Sequence, residues 1–224
     1  MSDVAITLDK RLTAPAPRSR LSQTWRSMRR SKQGMIGLTI VVVHLIIALT
    51  APLIVPYSIT DIDASNRLQS PSVEHPFGTD GFGRDILSRV LTGGRVALLV
   101  SFVAAVIAVT WGGLLGILLG YLGGRVDEVV MRVIDALLAI PSLLLILLVV
   151  LALGSGFSVL VLTLGYTYGL TVVRVARDAT LAIVARDFIT AARARGERSS
   201  TIVLRELMPN VLDVLLVEFA MRSS

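Results

Sequence analysis

Long uncharged apolar runs alternate with short polar segments along this chain, and the length of each run decides what it can be. The hydrocarbon core of a bilayer needs about 20 helical residues. Gly34 to Val55 is long enough, its polar positions few and small apart from His44, with Pro52 and Pro56 at its end. Val96 to Gly124 is the longest uncharged run, with Gly112, Gly116, Gly120 and Gly124 at every fourth position. That spacing lets membrane helices approach closely, so it reads as a packing seam in preference to a pore lining. Val133 to Leu153 is a third run, which Pro141 should kink or break. After the tight turn Gly154-Ser155-Gly156, Phe157 to Val173 forms a fourth. Val211 to Met221 begins a fifth that is too short to cross. The pattern predicts an all-α membrane protein with spans at 34–56, 96–124, 133–153 and 157–173, and a partial one at 211–224. The expectation is about five transmembrane helices, the fifth incomplete, in a chain truncated at its carboxy end.

The polar segments carry the candidate chemistry. Residues 1–33 form a basic tail, expected to be disordered and to end in an interfacial helix. No apolar core of a signal peptide precedes residue 34, so the first span should be retained. Residues 57–95 form a long hydrophilic loop. Within it, Arg84 to Thr92 reads as an amphipathic helix ended by Gly93-Gly94, with Ile86, Leu87, Val90 and Leu91 opposite Arg84, Ser88 and Arg89. Lying on the membrane surface is favoured for it over touching solute. Arg125 to Arg132 reads as a short charged turn, and Arg132 should pair with Asp135 three residues on. Gating is the other reading of Asp135. Thr163, Thr167 and Thr171, with Tyr166 and Tyr168 beside them, serve either interhelical hydrogen bonding or a polar path for solute. His44 is read as a neutral packing histidine bonded to a neighbour, a functional group being the alternative.

One polar segment stands apart. Arg186 to Pro209 lies between two apolar runs yet holds Arg186, Arg193, Arg195, Arg198 and Arg205. Ala191-Ala192 followed by Gly196 suggests a short helix that a partner can approach closely, then a turn. A second helical run, Ser199 to Met208, leads to Pro209 at the start of the next helix, where it loses no hydrogen bond.

Composition narrows the classes. The 224 residues are 54% hydrophobic with no cysteine, which removes disulfides, thiol nucleophiles and cysteine-ligated clusters. His44 and His75 are far apart and make a poor metal site, and no catalytic cluster stands out. The net charge of +6 follows topology and forms no single patch, which argues against nucleic acid. Placed on alternate sides of the spans, seventeen Lys and Arg fall with the amino terminus and segment 186–209, and four on the other side. The basic side belongs in the cytoplasm. There is no Gly-x-x-x-x-Gly-Lys phosphate loop, so this chain is not expected to hydrolyse ATP itself.

Two motifs carry a resemblance. Segment 186–209 resembles the cytoplasmic loop of permeases in binding-protein-dependent ABC importers: Glu-Ala-Ala, three residues, Gly, nine residues, Ile, any residue, Leu-Pro. Ala191, Ala192, Gly196 and Pro209 match, while Thr190, Glu206 and Met208 depart from it. The run HPFGTDGFGRDILSRVLTGGR is similar to the outer loop of dipeptide and oligopeptide permeases with an extra amino-terminal span, through His75, Pro76, Gly78, Thr79, Asp80, Gly83, Arg84, Asp85, Ser88, Arg89, Gly93 and Arg95. The resemblance implies the type I ABC importer permease fold and a non-catalytic subunit of the cytoplasmic membrane importing peptides or related small solutes. It implies a homologous second permease, two cytoplasmic ATPase subunits that use ATP and Mg, and an extracytoplasmic solute-binding protein. It makes the first helix of the loop a coupling helix seated on the ATPase, with Thr190, Ala191, Ala192 and Arg193 on it, Gly196 turning and Pro209 re-entering the membrane. This chain itself would bind no cofactor.

Overall fold

In a bilayer every backbone N–H and C=O must be satisfied within the chain, so apolar runs become helices. The computed structural model describes residues 28–223, and among them there is no strand, only an isolated bridge between Thr79 and Asp85. The basic tail up to Ser27 lies outside the described residues. The chain divides into two compact units at Thr92/Gly93, taken separately below.

The first unit begins with α1, Lys32–Ile54, whose start is capped by Ser31 accepting from the Gly34 N–H at 3.1 Å. It is apolar all round, as a lipid-facing span is. His44 donates from Nδ1 to the Ile40 carbonyl of its own helix at 2.8 Å, so its partner is one turn back and not a neighbouring element. The hydrophilic loop follows, then the start of α2, Ile86–Leu122.

In the sequence reading Gly93-Gly94 stops a short surface helix. Instead α2 is one 37-residue helix running through both glycines. Each costs about 1 kcal/mol against alanine, which the need to satisfy backbone groups in an apolar run outweighs.

The second unit holds the rest of α2, then α3, Gly124–Leu138, α4, Ser142–Leu153, and α5, Phe157–Val184. Next come α6, Asp187–Ala194, α7, Ser199–Thr201, a π-helical segment, Ile202–Leu207, and α8, Met208–Ser223. Residues 125–132 are helical and not a turn; the turn is made by Gly123 and Gly124 at φ 61° and 63°. Asp127 in the first turn suits the helix dipole, and Arg132 pairs with Glu128 at 2.7 Å. Pro141 does break its run: α3 and α4 meet at 82°. The fourth run continues past Val173 to Val184. Among the described residues three helices (α1, α2 and α5) are long and apolar enough to cross a membrane, or four if α3 and α4 form one broken span.

The core of this unit is the line where α2 meets α5. A Cβ on Gly112 would lie 2.5 Å from the Gly169 carbonyl, one on Gly116 2.5 Å from that of Val173, and one on Gly120 2.7 Å from Thr180 Cβ. Gly124 takes no part; it belongs to the turn. Substituting Gly116 with valine forces these backbones apart, an overpacking that costs about 1–3 kcal/mol. The melting temperature of the purified protein in detergent should fall for Gly116→Val and stay unchanged for Gly37→Ala, where nothing lies within 4 Å of the added carbon.

Candidate functional site

The segment 186–209 folds as a bracket built onto the end of α5. Only Ala185 and Arg186 separate α5 from α6, and the Arg186 N–H returns to the Ile183 carbonyl at 3.0 Å. One face of α6, Ile189 and Ala192, is fully buried against Ile183, Ile117, Ile202, Leu207 and Val211. The other face exposes Phe188, Thr190, Ala191 and Ala194. Arg193 is also exposed and stacks its guanidinium 5.2 Å from the Tyr121 ring centre. The two alanines of the motif therefore part company: Ala191 faces outward, while Ala192 packs inside its own chain and cannot meet a partner.

Gly196 ends α6 in a left-handed turn at φ 74°. The Glu197 N–H reaches the Ala192 carbonyl at 3.2 Å and the Gly196 N–H that of Arg193 at 3.0 Å, the double closure of a glycine-terminated helix. A Cβ on Gly196 would meet nothing within 4 Å. The position needs glycine for its backbone and leaves its side-chain direction open.

The second half of the bracket is not a separate helix that stops before Pro209. α7, the π segment and α8 run on without a turn, and Pro209 sits in the first turn of α8. Proline cannot donate to the carbonyl four residues back, and the chain accommodates this by widening. The Met208 N–H donates to Val203, five residues back, and the Asn210 side-chain amide donates to the Glu206 carbonyl at 2.6 Å.

The second motif, within residues 75–95, closes upon itself. Asp80 is its hub: Oδ1 accepts from the Phe82 N–H at 2.8 Å and the Arg84 N–H at 3.1 Å, and Oδ2 from Arg84 Nε at 2.9 Å. Arg89 Nε lies 3.7 Å from the same carboxylate. Thr79 donates to the Asn66 carbonyl and accepts from the Gln69 N–H. Asp85 caps α2 by accepting from the Ser88 N–H at 2.7 Å, and its other oxygen accepts from His75 Nδ1 at 3.0 Å. Gly78 and Gly83 turn the chain at φ 73° and 77°; a Cβ on Gly83 would fall 1.7 Å from the Asp63 carbonyl. These residues hold one another and stand as a structural clasp.

The proposed solute path is divided. Thr163 and Thr167 are buried, Thr171 is half-buried and Tyr166 is exposed. The Thr167 hydroxyl finds no hydrogen-bond partner among the described residues, so the interhelical bond expected of it is absent. Tyr166 instead stacks on Trp111, ring centres 5.3 Å apart, and the Trp111 indole N–H donates to the Gly165 carbonyl at 3.0 Å.

Sequence reasoning missed the ion pairs between helices. Asp135 pairs with Arg174 of α5, not with Arg132, and Asp127 takes Arg177 in two bonds of 2.5 and 2.6 Å. Separations of 39 and 50 residues leave no periodic trace in the sequence. Arg132 had a partner one turn away, which removed it from Asp135.

Comparison with known proteins now decides the family. Residues 112–224 match the family described as the inner membrane component of binding-protein-dependent transport systems, and residues 19–71 match the N-terminal TM domain of oligopeptide transport permease C. The chain belongs to this family. It is an all-α integral membrane protein of that permease fold. It is 34% identical over 196 residues to the dipeptide transport system permease protein DppC of Alkalihalophilus pseudofirmus, covering 88% of this chain and 64% of the relative. Against DppC of Haemophilus influenzae the identity is 30% over 227 residues, 99% of this chain and 75% of that one. The glutathione transport system permease protein GsiD of Escherichia coli is 35% identical over 199 residues, 88% of this chain and 66% of the relative. The chain thus spans about two thirds of the length of the permeases it matches.

Acid should open the clasp. Burial pushes the Asp80 carboxyl upward, but the Arg84 side chain and the Arg84 and Phe82 amides outweigh it and hold its pKa at about 2, below the ordinary 3.8. A carboxylate depressed in the folded state stabilises the fold above its unfolded pKa, and that stabilisation drains away as pH falls through the folded value. Amide exchange across residues 63–86 should therefore stay slow down to about pH 4 and accelerate toward about pH 2. In Asp80→Asn the same amides should exchange quickly already at neutral pH.

Proposed function

We propose that this chain is a permease subunit of an ATP-binding cassette importer, carrying peptides or related small solutes such as glutathione across the cytoplasmic membrane. The observation that carries the reading is the bracket: a short helix with one face welded to the end of a membrane-crossing helix and the other bare of its own chain. The family match and the peptide and glutathione permeases among its relatives support the same function.

The partners that fit are a homologous second permease, two cytoplasmic ATPase subunits and an extracytoplasmic solute-binding protein. The ATPases hydrolyse ATP with the aid of Mg, and this chain contributes no catalytic residue. Phe188, Thr190, Ala191 and Ala194 form the face that enters an ATPase groove, with Arg193 and Arg195 at its edge. Ala192, on the inner side, joins that face mechanically to α5. Closing of the ATPases on ATP then moves the bracket, and α5 moves with it, because Ile183, Ile189, Ile202 and Leu207 share one core. On the proposed path the exposed Tyr166 and the half-buried Thr171 are the side chains that a solute can reach.

Gly196→Asp tests the reading cleanly. Aspartate tolerates the left-handed backbone better than most residues, at a strain of about 1 kcal/mol, and its side chain would enter open space, so Gly196→Asn, equally strained but uncharged, serves as the folding control. Co-purification of the ATPase subunits should drop by about tenfold, the size of a coupling of about 1.4 kcal/mol, and uptake of radiolabelled trialanine should drop with it. Wild-type association and uptake would overturn the reading. Orientation is tested separately: the chain has no native cysteine, so a lone cysteine at Ala194 reports for itself. It should react with an impermeant maleimide in inside-out vesicles and stay unreacted in intact cells.

A further inference from the structure

Helix α3 lies between two joints. At its start Gly123 and Gly124 both take positive φ, with nothing within 4 Å of either added carbon. At its end the chain breaks at Pro141 and turns through 82° into α4. A stiff rod between two joints moves as its attachments dictate.

Its attachments to α5 are of two kinds. Ile134 packs with Leu170 and Val173, aided by Val130, Met131 and Leu137, and holds the middle of the rod. Ion pairs hold the rest. The Asp135–Arg174 pair is about half exposed on both sides, and such pairs contribute little. Asp127–Arg177 differs: the Asp127 side chain is 9% exposed, the Arg177 side chain 23%, and the guanidinium grips both carboxylate oxygens. A planar two-bond contact fixes angle as well as distance, and removing one partner strands a buried charge. The neighbouring Asp178, at 3.3 Å from Arg177 Nη1 and largely exposed, is a poor substitute.

Arg177 stands two turns before the bracket, on the part of α5 whose Ala176 and Ile183 share a core with Ile189 and Ala192 of α6. We propose that the Asp127–Arg177 pair is the transmission contact that passes movement of the docking bracket into α3, the first half of the broken span; α4, the second half, packs on α5 directly. The two residues are positioning residues; neither meets ATPase or solute. The inference rests on the coupling role proposed above for residues 186–209 and adds the route by which that movement reaches the broken span.

The test uses the complete transporter, this chain co-expressed with its partner permease, ATPases and solute-binding protein and reconstituted in proteoliposomes with radiolabelled trialanine as probe. In Asp127→Asn the ATPases should still co-purify and hydrolyse ATP, since the bracket's outer face is unaltered, while uptake per ATP hydrolysed falls about tenfold. The swap Asp127→Arg with Arg177→Asp should restore that ratio to within about threefold of wild type, where either substitution alone does not. As a second handle, Asp127→Cys with Arg177→Cys should recover coupling when a short bis-maleimide bridges the two thiols, and lose it unbridged. A wild-type ratio in Asp127→Asn, or a swap and a bridge no better than the single variants, would overturn the proposal. If Gly196→Asp releases the ATPases while Asp127→Asn couples normally, only this inference fails. If Gly196→Asp changes nothing, the reading beneath it fails.

Discussion

The second unit depends on how closely two backbones can lie. Membrane helices gain nothing from hiding apolar surface, because lipid is as apolar as they are, so contact must come from packing and backbone approach. Gly112, Gly116 and Gly120 remove three side chains from one face of α2, and α5 offers Gly169, Ala176 and Thr180 in return. With that distance set, Trp111 can lay its indole across the Gly165–Gly169 stretch of α5, and Ile117 can reach the core beneath α6. The bracket is thus the far end of a packing arrangement that begins deep in the apolar segment.

How much of this was legible in the sequence follows from the range of each force. Run length revealed α1, α2 and α5, because the bilayer imposes a length that any chain must meet. Pro141 announced its break, since a missing N–H acts where it stands. Gly93-Gly94 misled, because a glycine that would end a helix in water has no competing partner in an apolar run. The charged stretch 125–132 read as a turn because its charges suggested exposure, yet Asp127 and Glu128 both support the helix they begin. Pairings across 39 and 50 residues had no local signature.

The two motifs separate in the same way. The residues Gly78, Thr79, Asp80, Gly83, Arg84 and Asp85 were grouped by resemblance, and the structure brings them together around Asp80, with His75 and Asp85 closing the far side. Their spacing is that of a clasp, each side chain meeting a nearby amide or guanidinium. The bracket motif instead mixes two demands. Gly196 answers to backbone geometry, Ala192 to internal packing, and Ala191 alone of the two alanines keeps its surface free. Sequence spacing cannot tell those apart, because adjacent residues on a helix lie about 100° apart around its axis.

The burial of Ala192 and Ile189 has a practical side. A synthetic peptide copied from residues 186–209 would carry every letter of the motif, but it would lack Ile183, Ile117 and Val211, against which its apolar face closes. Eight helical residues are too few to hold their shape in water unaided. Such a decoy would compete poorly for any protein that recognises the folded bracket, and a useful mimic would have to bring the end of α5 along.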